Sequence, residues 1–313
     1  MTTHILIYLL SFAGIWIGSG LIIKAVEKLS RNLRISSFAV SFLVLGMFTS
    51  VGEFSVGINS VLKNDPEIYV GNLIGASIVL FMLIIPLLAI VGNSIRITPE
   101  FQGFNLPASL IVVAAPVILA MDGKITKFDS FITLGLFGLL LISVEMKKGI
   151  MQKTNNLSQT GISAGKELLK IIVGVAIIFI ASRFVVEQTL YFSELLHISP
   201  FLISLLLIAV GTNIPELSLV IRSAFIRNHQ VAFGDYIGSA AVNTFLLGLL
   251  TIIYGKTVIL TNSYLVSLLF LVAGLLIFYY FARTKNSISR LEGFLLLCIY
   301  ALFVATEIFI HKV

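Results

Sequence analysis

The sequence predicts an all-α integral membrane protein: ten transmembrane helices in two inverted-topology five-helix repeats, with helices 2, 3, 7 and 8 forming the core. Three observations carry that expectation: the composition, ten separable apolar runs, and a gapless internal repeat. Of 313 residues, 58% are hydrophobic and only 12% are charged, with a mean hydropathy of +1.06. Soluble domains average about 45–50% apolar and about 25% charged, so the lipid bilayer is the expected surrounding. The net charge of +6 forms no basic patch with interleaved aromatics, which argues for basic membrane loops and against nucleic acid. The single cysteine, Cys298, excludes an internal disulfide and reads as a small hydrophobe within an apolar run.

The runs follow in order. A spanning helix needs roughly 20 mostly apolar residues. Breaks at charged residues and at Pro, Gly and Asn leave spans at about 5–24, 37–62, 68–92, 104–121, 128–146, 168–190, 199–226, 231–254, 260–282 and 290–309. The N-terminal run lacks the positive n-region of a signal peptide and is too long for its h-region, so it is expected to stay as span 1. The longest polar connector, 147–167, separates a first five-helix repeat (1–146) from a second (168–313). Connectors 1–2, 3–4, 5–6, 7–8 and 9–10 hold fifteen Lys and Arg against six on the other side. Basic residues kept in short loops mark the cytoplasm, so the 147–167 connector is expected inside and both termini outside.

Shifted by 163 residues, 41–83 lies on 204–246 without a gap, and twelve of the 43 positions are identical. Apolar matches are cheap in such a composition. The matched Thr49/Thr212, Glu53/Glu216, Gly71/Gly234 and Gly75/Gly238 carry more weight, because polar residues are scarce here. Five spans per half is an odd number, so the second half enters the membrane upside down. Inverted repeats of this kind are the signature of secondary transporters, with the substrate at the repeat interface near the midplane.

Glu53 and Glu216 are the central candidates. A carboxylate deep in a span costs several kcal/mol on insertion scales. A lone one reads equally well as a protonated carboxyl bonded to a neighbouring helix, but two at equivalent positions do not. Gly52 and Pro215, adjoining them, are helix-breaking residues that free backbone carbonyls. Freed carbonyls survive in a membrane only where they are buried in protein or line a cavity. With Thr49, Ser50, Thr212 and Asn213 they make an all-oxygen cluster suited to hard cations such as Ca2+ and Na+. His4, His197, His229 and His311 all fall near span ends, so a soft-metal site is not expected.

"GNLIGAS" (71–77) and "GDYIGSAAVN" (234–243) open spans 3 and 8, where glycines permit close helix packing. Asn72 and Asp235 read either as helix caps or as support for the site. Ser239 and Asn243 share a helix face; their counterparts, Ala76 and Leu80, offer no side-chain oxygen, and Ser77 sits one position over. Glu145, Glu187 and Glu307 lie near span ends and are expected to snorkel.

At these residues the chain resembles the Ca2+/cation antiporter superfamily, in particular its prokaryotic sodium/calcium exchanger membrane proteins. "GTNIPE" (211–216) is similar to the second repeat's G-T-S-x-P-E. "MFTSVGE" (47–53) resembles the first repeat, with Gly52 replacing proline. The resemblance covers the whole chain. It implies a plasma-membrane antiporter that exchanges Ca2+ for Na+ or H+ by alternating access, with no cofactor and no enzymatic activity. Glu53 and Glu216 would be the metal ligands, with further oxygens from Thr49, Ser50, Thr212, Asn213, Ser239 and Asn243. Spans 1 and 6 would slide over the rest. The family's Ser and Asn on span 3 are replaced by Ala76 and Leu80, which argues for a lower ion stoichiometry or proton coupling. Two other classes fit less well: a cation channel, and an intramembrane enzyme built on Asp235, which lacks a second intramembrane Asp.

Overall fold

A computed structural model of the chain describes residues 1–32, 46–97, 101, 103–147, 164–217, 220, 229–260 and 265–310. The described chain is nearly all helical. Among the described residues, eight helices are long and apolar enough to cross a membrane, and they fall on expected spans 1, 3, 4, 5, 6, 8, 9 and 10. The expected spans 37–62 and 199–226 are interrupted helices, and their segments 37–45, 218–219 and 221–226 lie outside the described residues.

Burial ranks the helices. In the most apolar windows of spans 3 and 8, 78% of residues are buried, against 33% in spans 1 and 6. Spans 3 and 8 therefore form the centre and spans 1 and 6 the periphery. All thirteen residues of Glu67–Val79 are buried, the expected state of a helix apolar on every side. A large apolar cluster unites spans 3, 4, 5, 8, 9 and 10 with the outer part of span 7. A second cluster joins spans 1 and 6 through Ile15, Ile22, Ile178 and Val185, and reaches the centre through Val56, Ile68, Ile203 and Ile208. Helices Thr2–Asn32 and Ala164–Leu196 hold 31 and 33 residues, longer than the expected 5–24 and 168–190. At ~1.5 Å per residue they exceed a hydrocarbon core of about 30 Å, so they tilt or project beyond it. The expected ends were set at charged residues, but charge does not stop a helix: Glu167 pairs with Lys170 one turn on and with Lys28 of span 1.

Two short antiparallel strand pairs, which an all-α expectation misses, tie connectors together. Strand β1 (Ser94–Arg96) pairs with β4 (Ser287–Ser289), and β2 (Lys124–Ile125) with β3 (Val258–Ile259). Connectors 3–4 and 9–10 thus share one end of the bundle, and connectors 4–5 and 8–9 share another. That parity is what an odd number of crossings per half requires.

Glycines set the closest contacts in the centre. A Cβ on Gly75 would stand 2.3 Å from the Leu205 carbonyl oxygen, and one on Gly71 2.6 Å from that of Phe201. Span 3 thereby seats against span 7 backbone to backbone. The inverted counterpart is Gly46 of span 2 against Gly238 of span 8, at 2.9 Å. Substituting Gly75→Ala must push two helices apart, at a cost of roughly 1–3 kcal/mol for overpacking. Thermal unfolding in detergent is expected to show that loss for Gly75→Ala and not for Gly135→Ala, whose Cβ would meet nothing within 4 Å. Equal melting of both variants would contradict the packing.

Candidate cation site

The site is built on two helix interruptions at equivalent residues. In the first half Gly46–Thr49 ends in a turn at Ser50 (φ −75°, ψ 7°) before Val51–Leu62 resumes. In the second, Ala209–Thr212 ends at Asn213 (φ −87°, ψ 10°), and 214–217 is helical again. Both breaks fall two residues before Gly52 and Pro215, the positions expected from the sequence. The reason is geometric: a proline lacks its own N–H and its ring crowds the preceding turn, so the disturbance lies upstream of it. Side chains cover the loosened carbonyls in the same pattern twice. Thr49 Oγ1 and Ser50 Oγ donate to the Gly46 carbonyl at 3.3 and 2.9 Å. Thr212 Oγ1 and Asn213 Nδ2 donate to the Ala209 carbonyl at 3.4 and 2.7 Å.

The carboxylates stand one turn beyond each break, with Glu53 1% and Glu216 0% exposed. Glu53 is reached from the other half: Asn213 Nδ2 stands 3.5 Å from Glu53 Oε1. Ser239 of span 8 donates to Glu216 Oε1 at 3.4 Å and meets Ser50 Oγ at 3.1 Å. Glu53, Glu216, Thr49, Ser50, Thr212, Asn213 and Ser239 therefore form one cluster.

The remaining candidates divide. Asn243 joins through Ser77, whose Oγ accepts from Asn243 Nδ2 at 3.5 Å while donating to the Leu73 carbonyl; Ser77 thus faces the same interior as span 8. Asn72 is no cap, since its helix begins at Glu67. It is fully buried, and its Oδ1 accepts from Thr212 at 3.3 Å. The side chain of Asp235 lies outside the described residues, and its backbone is inside helix His229–Tyr254 rather than at the start. Ala76 and Leu80 are buried and apolar. Glu307 does not snorkel: it is fully buried and accepts from Ser267 at 2.7 Å. Sequence reasoning missed Tyr236, whose hydroxyl donates to the Glu216 backbone carbonyl at 3.2 Å; its place one turn before Ser239 was the available signal.

The chemistry follows from what these hydrogen bonds leave unsatisfied. Glu53 Oε2, Glu216 Oε2, Asn213 Oδ1 and Asn243 Oδ1 are buried oxygens with no hydrogen-bond partner. Each such group costs about 1–3 kcal/mol, more when charged, and natural structures keep few of them. These four oxygens, two of them carboxylate, make a donor set for a hard, weakly directional cation; Asn72 Nδ2 is a buried nitrogen left without a partner beside them.

The sequence model of the family described as "Sodium/calcium exchanger protein" matches residues 3–144 and 166–309. The sodium/calcium exchanger MaX1 of Methanosarcina acetivorans is 24% identical over 99% of this chain and 100% of its own length. An uncharacterized membrane protein of Methanocaldococcus jannaschii is 25% identical, covering 96% of each chain. Among solved structures, the sodium-calcium exchanger NCX_Mj soaked with Na+ and Sr2+ superposes with a TM-score of 0.70 and 25% identity, over 96% of this chain and 97% of that one.

A cation that fills the unsatisfied oxygens must stabilise the folded protein by mass action, by about 2.7 kcal/mol at a hundredfold excess over Kd. Ca2+ titrated into detergent-solubilised protein is expected to raise its melting temperature. Glu53→Gln and Glu216→Gln should abolish that rise while still folding. A Ca2+-dependent rise of wild-type size in either variant would remove that carboxylate from the ligand set.

Proposed function

The chain belongs to the sodium/calcium exchanger protein family, and from that premise we propose that it is a secondary antiporter moving Ca2+ against Na+ by alternating access. Glu53 and Glu216 are its central cation ligands. Thr49, Ser50, Thr212, Asn213, Ser239 and Asn243 supply further oxygens, and Asn72 and Ser77 support them. The observation that carries this reading is the pair of buried carboxylates, one from each inverted half, each with an oxygen left unsatisfied. The architecture is two five-helix repeats, 1–146 and 168–313, joined by a cytoplasmic connector at 147–167. The setting is the plasma membrane of a prokaryotic cell, with both termini outside.

Coupling follows from charge. Two carboxylates carry two negative charges, which one Ca2+ neutralises, as do two monovalent ions. An empty site with both charges uncompensated is expensive in a low-dielectric interior, so reorientation waits until a replacement ion has entered. Competition for one set of oxygens thereby links two opposite fluxes without a second binding site. Span 3 offers no side-chain oxygen at Ala76 or Leu80, which favours few ions per cycle and keeps protons as a second candidate for the returning charge. Spans 1 and 6 are the moving body: they meet across Gly18 and Gly174, where a Cβ on either would stand 2.8 Å from the other's carbonyl oxygen.

Proteoliposomes with separately imposed Na+ and H+ gradients test the mechanism. Ca2+ uptake is expected to follow an outward Na+ gradient and to vanish in Glu216→Gln. Uptake that ignores both gradients points to a channel, and normal uptake by the variant refutes the site.

Orientation has its own test in whole cells, in a Cys298→Ser background. A membrane-impermeant maleimide should label Lys256→Cys directly and Asn155→Cys only after permeabilisation. The reverse pattern would invert the topology.

A further inference from the structure

Helix His229–Tyr254 holds Glu216 at two points. Ser239 donates to its carboxylate, and Tyr236, one turn earlier on the same face, donates to its backbone carbonyl at 3.2 Å. Tyr236 is fully buried, so its hydroxyl is shielded from water and the bond is not exchanged for a solvent one. The residues 163 positions earlier are Leu73 and Ala76, whose side chains cannot donate. Glu53 lies within helix Val51–Leu62, which holds its main chain, and Asn213 reaches its carboxylate at 3.5 Å. Glu216 is the one of the two whose backbone carbonyl takes a side-chain donor from a neighbouring helix.

Resting on the exchange reading above, we infer that Tyr236 is a positioning residue that sets cation-size selectivity by fixing the short segment that carries Glu216. Selectivity among hard cations depends on cavity size, ligand number and ligand flexibility. A ligand that does not yield keeps the cavity at one size and so discriminates between Ca2+ and the larger Sr2+ and Ba2+. Backbone anchoring supplies that, because a carboxylate whose main chain is fixed moves only through its own side-chain torsions. Loss of the Tyr236 hydroxyl leaves every cation-facing oxygen in place and frees the segment that carries one of them. The effect belongs on the ratio between cations more than on the maximal rate.

Apparent KM values for Ca2+, Sr2+ and Ba2+ are measured by counterflow in proteoliposomes containing the full-length wild type, Tyr236→Phe or Tyr69→Phe. Tyr69 is the control: it is equally buried, and its hydroxyl pairs with Thr251, so its loss removes a similar bond away from Glu216. Tyr236→Phe is expected to lower the Ba2+-to-Ca2+ KM ratio roughly three- to tenfold, the scale of one buried hydrogen bond, with Vmax for Ca2+ little changed. Tyr69→Phe should keep the wild-type ratio. An unchanged ratio in Tyr236→Phe, or an equal fall in both variants, overturns the inference while the exchange reading stands. A wild type that shows no divalent counterflow overturns the exchange reading itself.

Discussion

Two carboxylates buried inside a membrane bundle are the constraint around which the rest of the molecule is arranged. The ion pairs among the described residues lie towards helix ends: Lys28 and Lys170 with Glu167, Lys63 and Arg183 with Glu187, Lys124 with Asp122. None involves Glu53 or Glu216, so the interior compensates their charge with dipoles alone. That is why hydroxyls and amides gather there, and why two helices break where they do. A continuous helix would keep its carbonyls and N–H groups engaged with each other. The interruptions at Ser50 and Asn213 let Thr, Ser and Asn side chains take up the loosened carbonyls and still present oxygens inward. Close backbone approach at Gly46 and Gly75 then brings the flanking spans near enough for Ser239, Ser77 and Asn72 to reach the cluster.

The crossed pattern of partners has a mechanical consequence. Asn213 serves Glu53 from the other half, and Ser50 meets Ser239, which serves Glu216, so the site is completed across the two halves. The two repeats cannot separate without leaving a carboxylate unaccompanied in a low-dielectric interior, a penalty far above that of an exposed charge. The pair of broken helices therefore behaves as one rigid part. Motion that alters access has to come from elements packed around it rather than from the halves pulling apart. Within that rigid part the halves are unequal, since span 8 contributes Ser239, Asn243 and Tyr236 where span 3 offers Ala76, Leu80 and Leu73.

Much of this was legible in the sequence, and what was not has physical reasons. Scarce polar residues in an apolar chain are forced to matter, so Glu53, Glu216 and the threonines four residues before them marked the site, and the 163-residue shift joined them. The site's outer members were hidden because a helix face cannot be fixed from one strand of sequence. Ser77 is offset by one from the repeat pattern, yet the close seating of span 3 turns it to Asn243. Asn72 looked like a cap because the segment from Gly71 was read as the helix opening, although the helix already begins at Glu67. Tyr236 was masked by its chemistry, since a tyrosine in a membrane helix reads as an interfacial aromatic until its hydroxyl is seen to meet a carbonyl. Glu307 was misjudged for the opposite reason: proximity to a span end says nothing about a neighbour such as Ser267 that can bond it in place.

Spans 1 and 6 show how the same inverted plan can be held differently at its two ends. Ser19 and Ser182 lie 163 residues apart, the shift that relates the two halves. Ser182 accepts from Asn59 of span 2 at 2.8 Å, and nearby Lys63 pairs with Glu187, so span 6 is tied to the rigid centre by a buried hydrogen bond and an ion pair. Ser19 is equally buried and has no hydrogen-bond partner. On span 1 the contacts with spans 2 and 7 are apolar instead: Phe12 covers Gly211 and Ile15 covers Gly52, while Tyr8 and His4 bond Thr189 and Gln188 of span 6. Apolar surfaces resist sliding less than directional bonds do, because dispersion is nearly the same at neighbouring registers whereas a hydrogen bond weakens steeply once misaligned. Span 1 is thus held to the centre by apolar packing and to span 6 by polar contacts, so the pair can slide over the centre only where the Asn59–Ser182 and Lys63–Glu187 contacts of span 6 give way.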